Sequence, residues 1–404
     1  MFLYIDPGTG SMLFTILIGL FGTATYFFRN LIMKLKFSSH GKVEVEDKLP
    51  LVIFSDHKRY WNVFEPICNE LEKRKIKCVY MTESEDDPVL SKDYEYIEGR
   101  FIGSGNKAYA KLNVLRAKIL LSTTPSLDVF QWKRSKDVEY YVHIPHASSD
   151  ISIYKMFGID YYDSILLSGE YQGDQIRQLE EKRRLPAKEI EYVGIPYFDE
   201  MKKRLDEEKK TDKELSTRTV LLAPSWGPNS ILNRFGADFI KRLIDTGYKV
   251  IVRPHPQSYT SEKEMIDKLK SEFSESDMFK WNSDNDNFNV LNESDILISD
   301  FSGVIFDYAL VYDKPVIYAQ AEFDSSTYDA AWIDDELWTF KVLPTIGREL
   351  SEEDFSDMKK IIDECIASEE YQAGRDKARE ETWMYPGEGA VRVVDYLEKK
   401  LSAE

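Results

Sequence analysis

Cysteine is scarce in this chain: three occur in 404 residues, Cys68, Cys78 and Cys365, far apart and without a C-x-x-C pair. That scarcity excludes a disulfide framework and a thiolate zinc site, and it fits a reducing compartment. Histidine is sparse too, with five copies, so the position of each one matters. Positive charge also falls short. Lys and Arg number 53 against 71 Asp and Glu, a net charge of −18 that repels phosphate backbones and argues against a nucleic-acid partner. Long apolar runs are confined to the first forty residues, and the mean hydropathy of −0.42 rules out a polytopic membrane protein. No internal repeat of about 20 to 50 residues is visible. With 43% hydrophobic residues and 13% aromatics, the chain still carries enough apolar material for two or three ordinary cores.

The exceptional first stretch has no charge for about 22 positions between Asp6 and Arg29. As a helix it would reach about 33 Å, one hydrocarbon core. Arg29, Lys34 and Lys36 follow it, which by the positive-inside rule leaves the body of the protein in the cytoplasm. Pro7, Gly8, Gly10, Gly19 and Gly22 weaken a straight helix, so a segment dipping into one leaflet is the alternative. Residues 1–37 are therefore expected to be a membrane anchor and the protein to sit at the cell membrane, its catalytic body on the cytoplasmic side.

After a polar tether, Pro50–Phe54 is the first buried-strand run, and strands then alternate with helices. Strands are expected at 76–80, 118–122, 138–143, 164–168 and 190–194, with helices at 61–74 and 172–184. A charged stretch between Glu200 and Arg218 marks a boundary. Beyond it the alternation resumes, with strands near 219–223, 249–253, 295–299 and 315–318 and helices near 237–246, 261–273 and 304–311. The pattern predicts an α/β protein of two doubly wound, Rossmann-like domains, 38–205 and 206–404, with a ligand cleft between them.

Three segments can carry chemistry. Ser294–Leu310 reads as a buried strand ending at Ser299-Asp300 and turning into a helix at about Ser302, where a hydroxyl, Gly303 and unpaired amides could cradle phosphate; Asp300 and Ser302 could equally serve as helix caps. Val250-Ile-Val-Arg-Pro-His-Pro256 ends a strand in a guanidinium and an imidazole stiffened by two prolines, a setting for an anionic ligand. Tyr140-Tyr-Val-His-Ile-Pro-His146 offers two imidazoles, His143 and His146, as general bases. Their spacing of three would suit a metal on a helix, but the proline between them favours a loop, and no metal site is expected. Asp284-Asn-Asp286 lies in a polar loop, Gly103-Ser-Gly105 is a lone G-x-G, and the acidic run Glu83 to Asp87 reads as solvated surface.

These segments resemble the CDP-glycerol glycerophosphotransferase family, which builds teichoic-acid polyol-phosphate chains on a two-domain GT-B scaffold. Ile298-Ser-Asp-Phe-Ser-Gly-Val-Ile-Phe-Asp307 and the following Lys314-Pro-Val-Ile-Tyr318 look like its S-D-Y-S-S-x-x-F-D and K-P-x-I-F; Arg253–Pro256 like its R-x-H-P; Leu222–Trp226 like its A-P-T-W; and Gly194–Asp199 like its G-x-P-r-x-D. The resemblance implies a transferase that takes a CDP-alditol donor and a lipid-linked polyol-phosphate or glycan acceptor, with no cofactor. It implies His146 and His255 as catalytic groups; Arg253, His255, Asp300, Ser302 and Gly303 as donor-phosphate ligands; and His143, Ser225 and Asp307 as further nucleotide or acceptor contacts. Ala147, Gly303 and Gly227 stand where the family pattern has Gly, Ser and Arg. Those departures, and a scaffold shared with other enzymes, keep a UDP-sugar glycosyltransferase or sugar-nucleotide enzyme and a silent binding protein as alternatives.

Overall fold

The computed structural model describes residues 48–208, 218–284, 286–300, 302–319 and 323–403. The expected anchor at 1–37 lies outside them; among the described residues no helix is long and apolar enough to cross a membrane. Two parallel sheets organise the body. The first has seven strands: β1 (Leu49–Ser55), β2 (Cys78–Thr82), β3 (Ile97–Phe101), β4 (Ala117–Ser122), β5 (Val138–His143), β6 (Ser164–Leu167) and β7 (Glu189–Tyr192), in the order β3-β2-β1-β4-β5-β6-β7. The second has six: β8 (Thr219–Leu222), β9 (Lys249–Val252), β10 (Phe279–Trp281), β11 (Ile296–Ser299), β12 (Val316–Ala319) and β13 (Gly347–Leu350), in the order β10-β9-β8-β11-β12-β13.

Both orders run outward from a first strand and then reverse, the doubly wound pattern that opens a crevice at the carboxyl ends of the two strands flanking the reversal. In the first sheet those strands are β1 and β4; in the second, β8 and β11. The central strands form because they are continuous apolar runs covered on both faces: Leu51–Phe54, Leu120, Leu121, Val220–Leu222 and Ile296–Ile298 are all inaccessible to solvent. The same device pins the end of each crevice. Ser122 Oγ donates to the Phe54 carbonyl at 2.9 Å, and Ser299 Oγ donates to the Ala223 carbonyl at 2.6 Å.

The expected helix at 304–311 is one α-turn, Val304–Phe306, followed by a π-helical segment, Asp307–Val311. The last helix, Gly389–Ser402, does not stay with the second sheet; it packs against Trp61–Lys73 on the first. Asp199, in the G-x-P-x-x-D segment, holds that return. Its carboxylate accepts the Trp383 indole N–H at 2.8 Å and the Gly387 and Gly389 amides at 2.7 and 2.9 Å. Gly194 has φ +83°, and a Cβ there would stand 2.1 Å from the Met384 carbonyl oxygen, so only glycine lets the returning chain pass.

Candidate functional site

The first crevice is built from the loops that leave β1, β4 and β5. β1 delivers Asp56, Arg59 and Tyr60; β4 delivers Thr123 and Thr124; β5 ends at His143, and the loop beyond it carries His146. The His146 ring lies 4.7 Å from the Tyr60 ring and 5.9 Å from that of Tyr154. Burial pushes its pKa down to about 4, and the positive charge of Arg59 adds to the effect. Its Nδ1 has no partner. That nitrogen is enclosed, but the residue keeps part of its surface open, and a neutral imidazole at a crevice can accept a proton. The Asp56 carboxyl, in contrast, is held above its ordinary value by burial, against the pull of Thr124 and Arg59.

His143 is the deeper of the two imidazoles. It is wholly buried, its Nε2 is 3.2 Å from Tyr154 Oη, and burial, followed by His146, pushes it down to about 3. A side chain without exposed surface cannot touch a substrate, so the structure corrects the expected nucleotide or acceptor contact at His143 to a packing role beneath Tyr154. Asp87 is corrected in the same way. It is buried and caps Pro88–Ser91, accepting the Val89 amide, so the acidic run is solvated only in part.

The second crevice is wired differently. Asp300, at the end of β11, is 2% exposed; Oδ1 accepts the Ser225 amide at 2.8 Å and Oδ2 the Ile231 amide at 3.1 Å. Its carboxylate therefore holds the loop after β8 against the start of helix Ile231–Asp245, and the structure corrects it from donor ligand to loop anchor. Ser225 is buried, and its hydroxyl has no partner. Arg253 is likewise engaged: its guanidinium donates to Asn282 Oδ1 and, at 2.8 Å, to the Asp284 carbonyl. The Asp307 carboxyl accepts from Tyr197 Oη at 3.0 Å, and burial raises it to about 7.

What remains presented in this crevice is His255, Ser302 and Gly303. His255 Nδ1 accepts the Gln257 amide at 3.1 Å, so the neutral ring carries its proton on Nε2 and can donate there. Burial holds it below its ordinary pKa, and Arg59 lowers it further against Asp300 and Glu262. Gly303 is exposed, with nothing within 4 Å of where a Cβ would stand, just ahead of the helical turn at Val304. Gly227 is similarly open. Its φ of +96° explains why glycine occupies this position here, and its amide donates to Glu262 Oε1 at 2.8 Å.

The charge of Arg59 acts on both His146 and His255, which puts one guanidinium within electrostatic reach of imidazoles from opposite lobes. Sequence reasoning passed over Arg59 and Asp56 because no motif surrounds them. The available signal was position, since residues directly after the first strand of a doubly wound sheet line its crevice.

The lobes are joined behind this cleft. Asp150, four residues past His146 and buried, accepts the Trp338 and Thr339 amides at 2.8 Å each, capping helix Trp338–Ile346 from the opposite lobe. Asp329 accepts the Phe157 and Gly158 amides and pairs at 2.5 Å with Arg183, which also meets Asp160 at 2.8 Å.

Solved structures share this architecture. The wall teichoic acid polymerase TagF soaked with CDPG aligns over 95% of this chain and 98% of its own, with a TM-score of 0.57 at 15% identity. The UDP-GlcNAc 2-epimerase of Methanocaldococcus jannaschii, in complex with UDP-GlcNAc and UDP, covers 87% of this chain and 100% of its own, with a TM-score of 0.55 at 12% identity. The epimerase of Neisseria meningitidis bound to UDP-GlcNAc covers 86% and 99%, with a TM-score of 0.55 at 14% identity. At such identities the likeness concerns the fold, which is the two-lobed GT-B arrangement. No curated protein sequence matches the chain. The family model for CDP-glycerol:poly(glycerophosphate) glycerophosphotransferase matches residues 174–399, more than half of the chain, and the protein therefore belongs to that glycerophosphotransferase family.

Proposed function

We propose that the protein moves glycerol phosphate, or a related alditol phosphate, from a CDP-alditol to the hydroxyl of a membrane-linked acceptor during assembly of a teichoic-acid-like cell-wall polymer. One observation carries the proposal: the glycerophosphotransferase family model matches residues 174–399, and an imidazole follows a strand in each lobe, His146 after β5 and His255 after β9. In the reaction, His146 takes the proton of the acceptor hydroxyl, whose oxygen bonds to the β-phosphorus of the donor. The bridging P–O bond breaks and CMP leaves with its electrons. His255 donates from Nε2 to a phosphoryl oxygen, Ser302 and the amides around Gly303 hold the diphosphate, and Arg59 offsets the charge that builds between them. Residues 1–37 hold the body against the cytoplasmic face of the membrane, next to an acceptor confined to that surface.

The test is nucleotide release by the purified full chain given CDP-glycerol, CDP-ribitol or UDP-sugars, with and without lipid acceptor. The proposal expects CMP from a CDP-alditol, lost in His146→Ala. UDP release, or binding without turnover, would overturn it.

A further inference from the structure

Two carboxyls at the first crevice have no part in the reaction above, and neither has the G-x-G loop. Asp56 follows β1 and Glu83 follows β2. The ladder pairs Ser55 with Thr82, and the Glu83 amide donates to the Ser55 carbonyl at 3.2 Å, so the two acidic residues leave adjacent strands side by side. Gly105, at φ +57°, turns its amide onto Glu83 Oε2 at 2.6 Å and fixes that carboxyl in place. On the other side of Asp56, Thr124 leaves β4 with its amide held by Ser122 Oγ at 3.0 Å.

The polar atoms gathered here are incompletely matched. Asp56 Oδ1, Glu83 Oε1 and Thr124 Oγ1 are enclosed and have no hydrogen-bond partner among the described residues. Thr124 is 7% exposed, and its hydroxyl pulls on the Asp56 carboxyl without completing a bond to it. Asp56 in turn acts on Glu83, and Tyr109 feels the charge of both. Arg59 and His57, from the same loop as Asp56, act on it as well. Asp56 and Glu83 keep part of their surface open. Unmatched buried polar atoms cost stability and are rare, so a cluster of them beside a crevice marks a place that a ligand completes.

We infer that Asp56, Glu83 and Thr124 form a subsite for the neighbouring hydroxyls of an uncharged polyol, separate from the diphosphate cradle of the second lobe. Carboxylates only accept hydrogen bonds and a threonine hydroxyl both donates and accepts, so the matching ligand brings hydroxyl groups. Two adjacent carboxylates repel a phosphate. A hard cation such as Ca2+ calls for about six oxygens or more, and no group of three or more metal-ligating side chains gathers among the described residues. The Thr123 backbone reaches the His146 ring, so the subsite adjoins the proton acceptor. Resting on the transfer proposed above, this identifies the leading end of the acceptor as polyol hydroxyls, with its nearest phosphate held outside the carboxyl pair.

The three native cysteines are all buried, so Ser104→Cys in the full chain, at an exposed position beside Gly105, takes a trifluoromethyl label next to the subsite, and Lys280→Cys takes one on the other lobe. Ribitol or glycerol shifts the fluorine resonance at 104 and leaves that at 280 unmoved. Asp56→Asn and Glu83→Gln each weaken the ribitol response about tenfold or more, the worth of a hydrogen bond to a charged group. Glu83→Gln keeps an oxygen for the Gly105 amide, and Thr124→Val keeps the side-chain shape, so both variants fold; Thr124→Val weakens the response by a smaller factor. An unchanged response in all three variants, or none in the chain with its subsite intact, overturns the inference. A shift at 104 with glycerol 3-phosphate as strong as with glycerol overturns it and assigns the place to anions, and a shift with Mg2+ alone overturns it in favour of a cation. Turnover is not read, so a failure of the transfer reading, seen as absent CMP release, stays separate from this test.

Discussion

The two crevices share one topology and the same serine stitch at their floors, but they handle polar groups in opposite ways. In the second lobe the charged groups at the strand ends are committed to neighbouring loops: Asp300 to two amides, Arg253 to the Asn282 side chain and the Asp284 carbonyl. That leaves a firm rim on which His255, Ser302 and Gly303 are presented. In the first lobe His143 is buried and His146 half-buried, both held neutral, and the Nδ1 atoms of both have no partner. A rim wired to its own loops suits holding a ligand; a neutral, half-buried imidazole such as His146 suits receiving a proton.

If that division holds, His146→Ala lowers CMP release by about 10²- to 10⁴-fold while the donor Kd, read by calorimetry, stays within a factor of two or so. A large change in donor affinity would merge the two roles.

The buried imidazoles also set acid stability. Their folded values, about 4 for His146 and about 3 for His143, lie below the 6.5 of an unperturbed histidine. As pH falls from about 6.5 toward those values, the unfolded chain takes up protons first, and each imidazole removes about 1.4 kcal/mol of stability per pH unit. Urea unfolding at a series of pH values should show this slope, and His143→Gln should remove the share that His143 contributes. Asp150→Ala, which uncaps Trp338–Ile346 across the lobes, should cost about 2–4 kcal/mol in the same assay at neutral pH.

In the second crevice the effects are smaller. His255→Ala should weaken donor binding by about 10- to 100-fold, the loss of one charge-assisted hydrogen bond, and should also relieve part of the acid slope, since its folded pKa is lowered as well. Gly303→Ser enters open space and restores the hydroxyl of the family pattern, so it should tighten donor binding by about fivefold. An unchanged Kd would mean that the diphosphate does not pass this rim.

Much of the fold was legible because its central strands are unbroken apolar runs. Of the four edge strands only β7 was read, at 190–194; the other three were not. Ile97-Glu-Gly-Arg-Phe101, Phe279-Lys-Trp281 and Gly347-Arg-Glu-Leu350 pair on one side only and carry too few apolar residues to stand out. In the site, His146 and His255 could be read because each ends a strand motif with proline nearby. Asp300 and Arg253 misled for a physical reason: a charge at a strand end has the same pattern whether it binds a ligand or its own backbone, and only the hydrogen bonds tell the two apart. Asp56 and Arg59 were hidden in a polar turn that becomes meaningful once the strand order is known.

The loop carrying His146 belongs to the first lobe by connectivity, but Asp150 fastens it to the start of a helix in the second, and Tyr171 and Thr382 grip the Ser148 carbonyl from either side. Parting the lobes would mean tearing out these bonds. Any opening of the cleft would therefore have to break these bonds first, and the loop that carries His146 would move with both lobes.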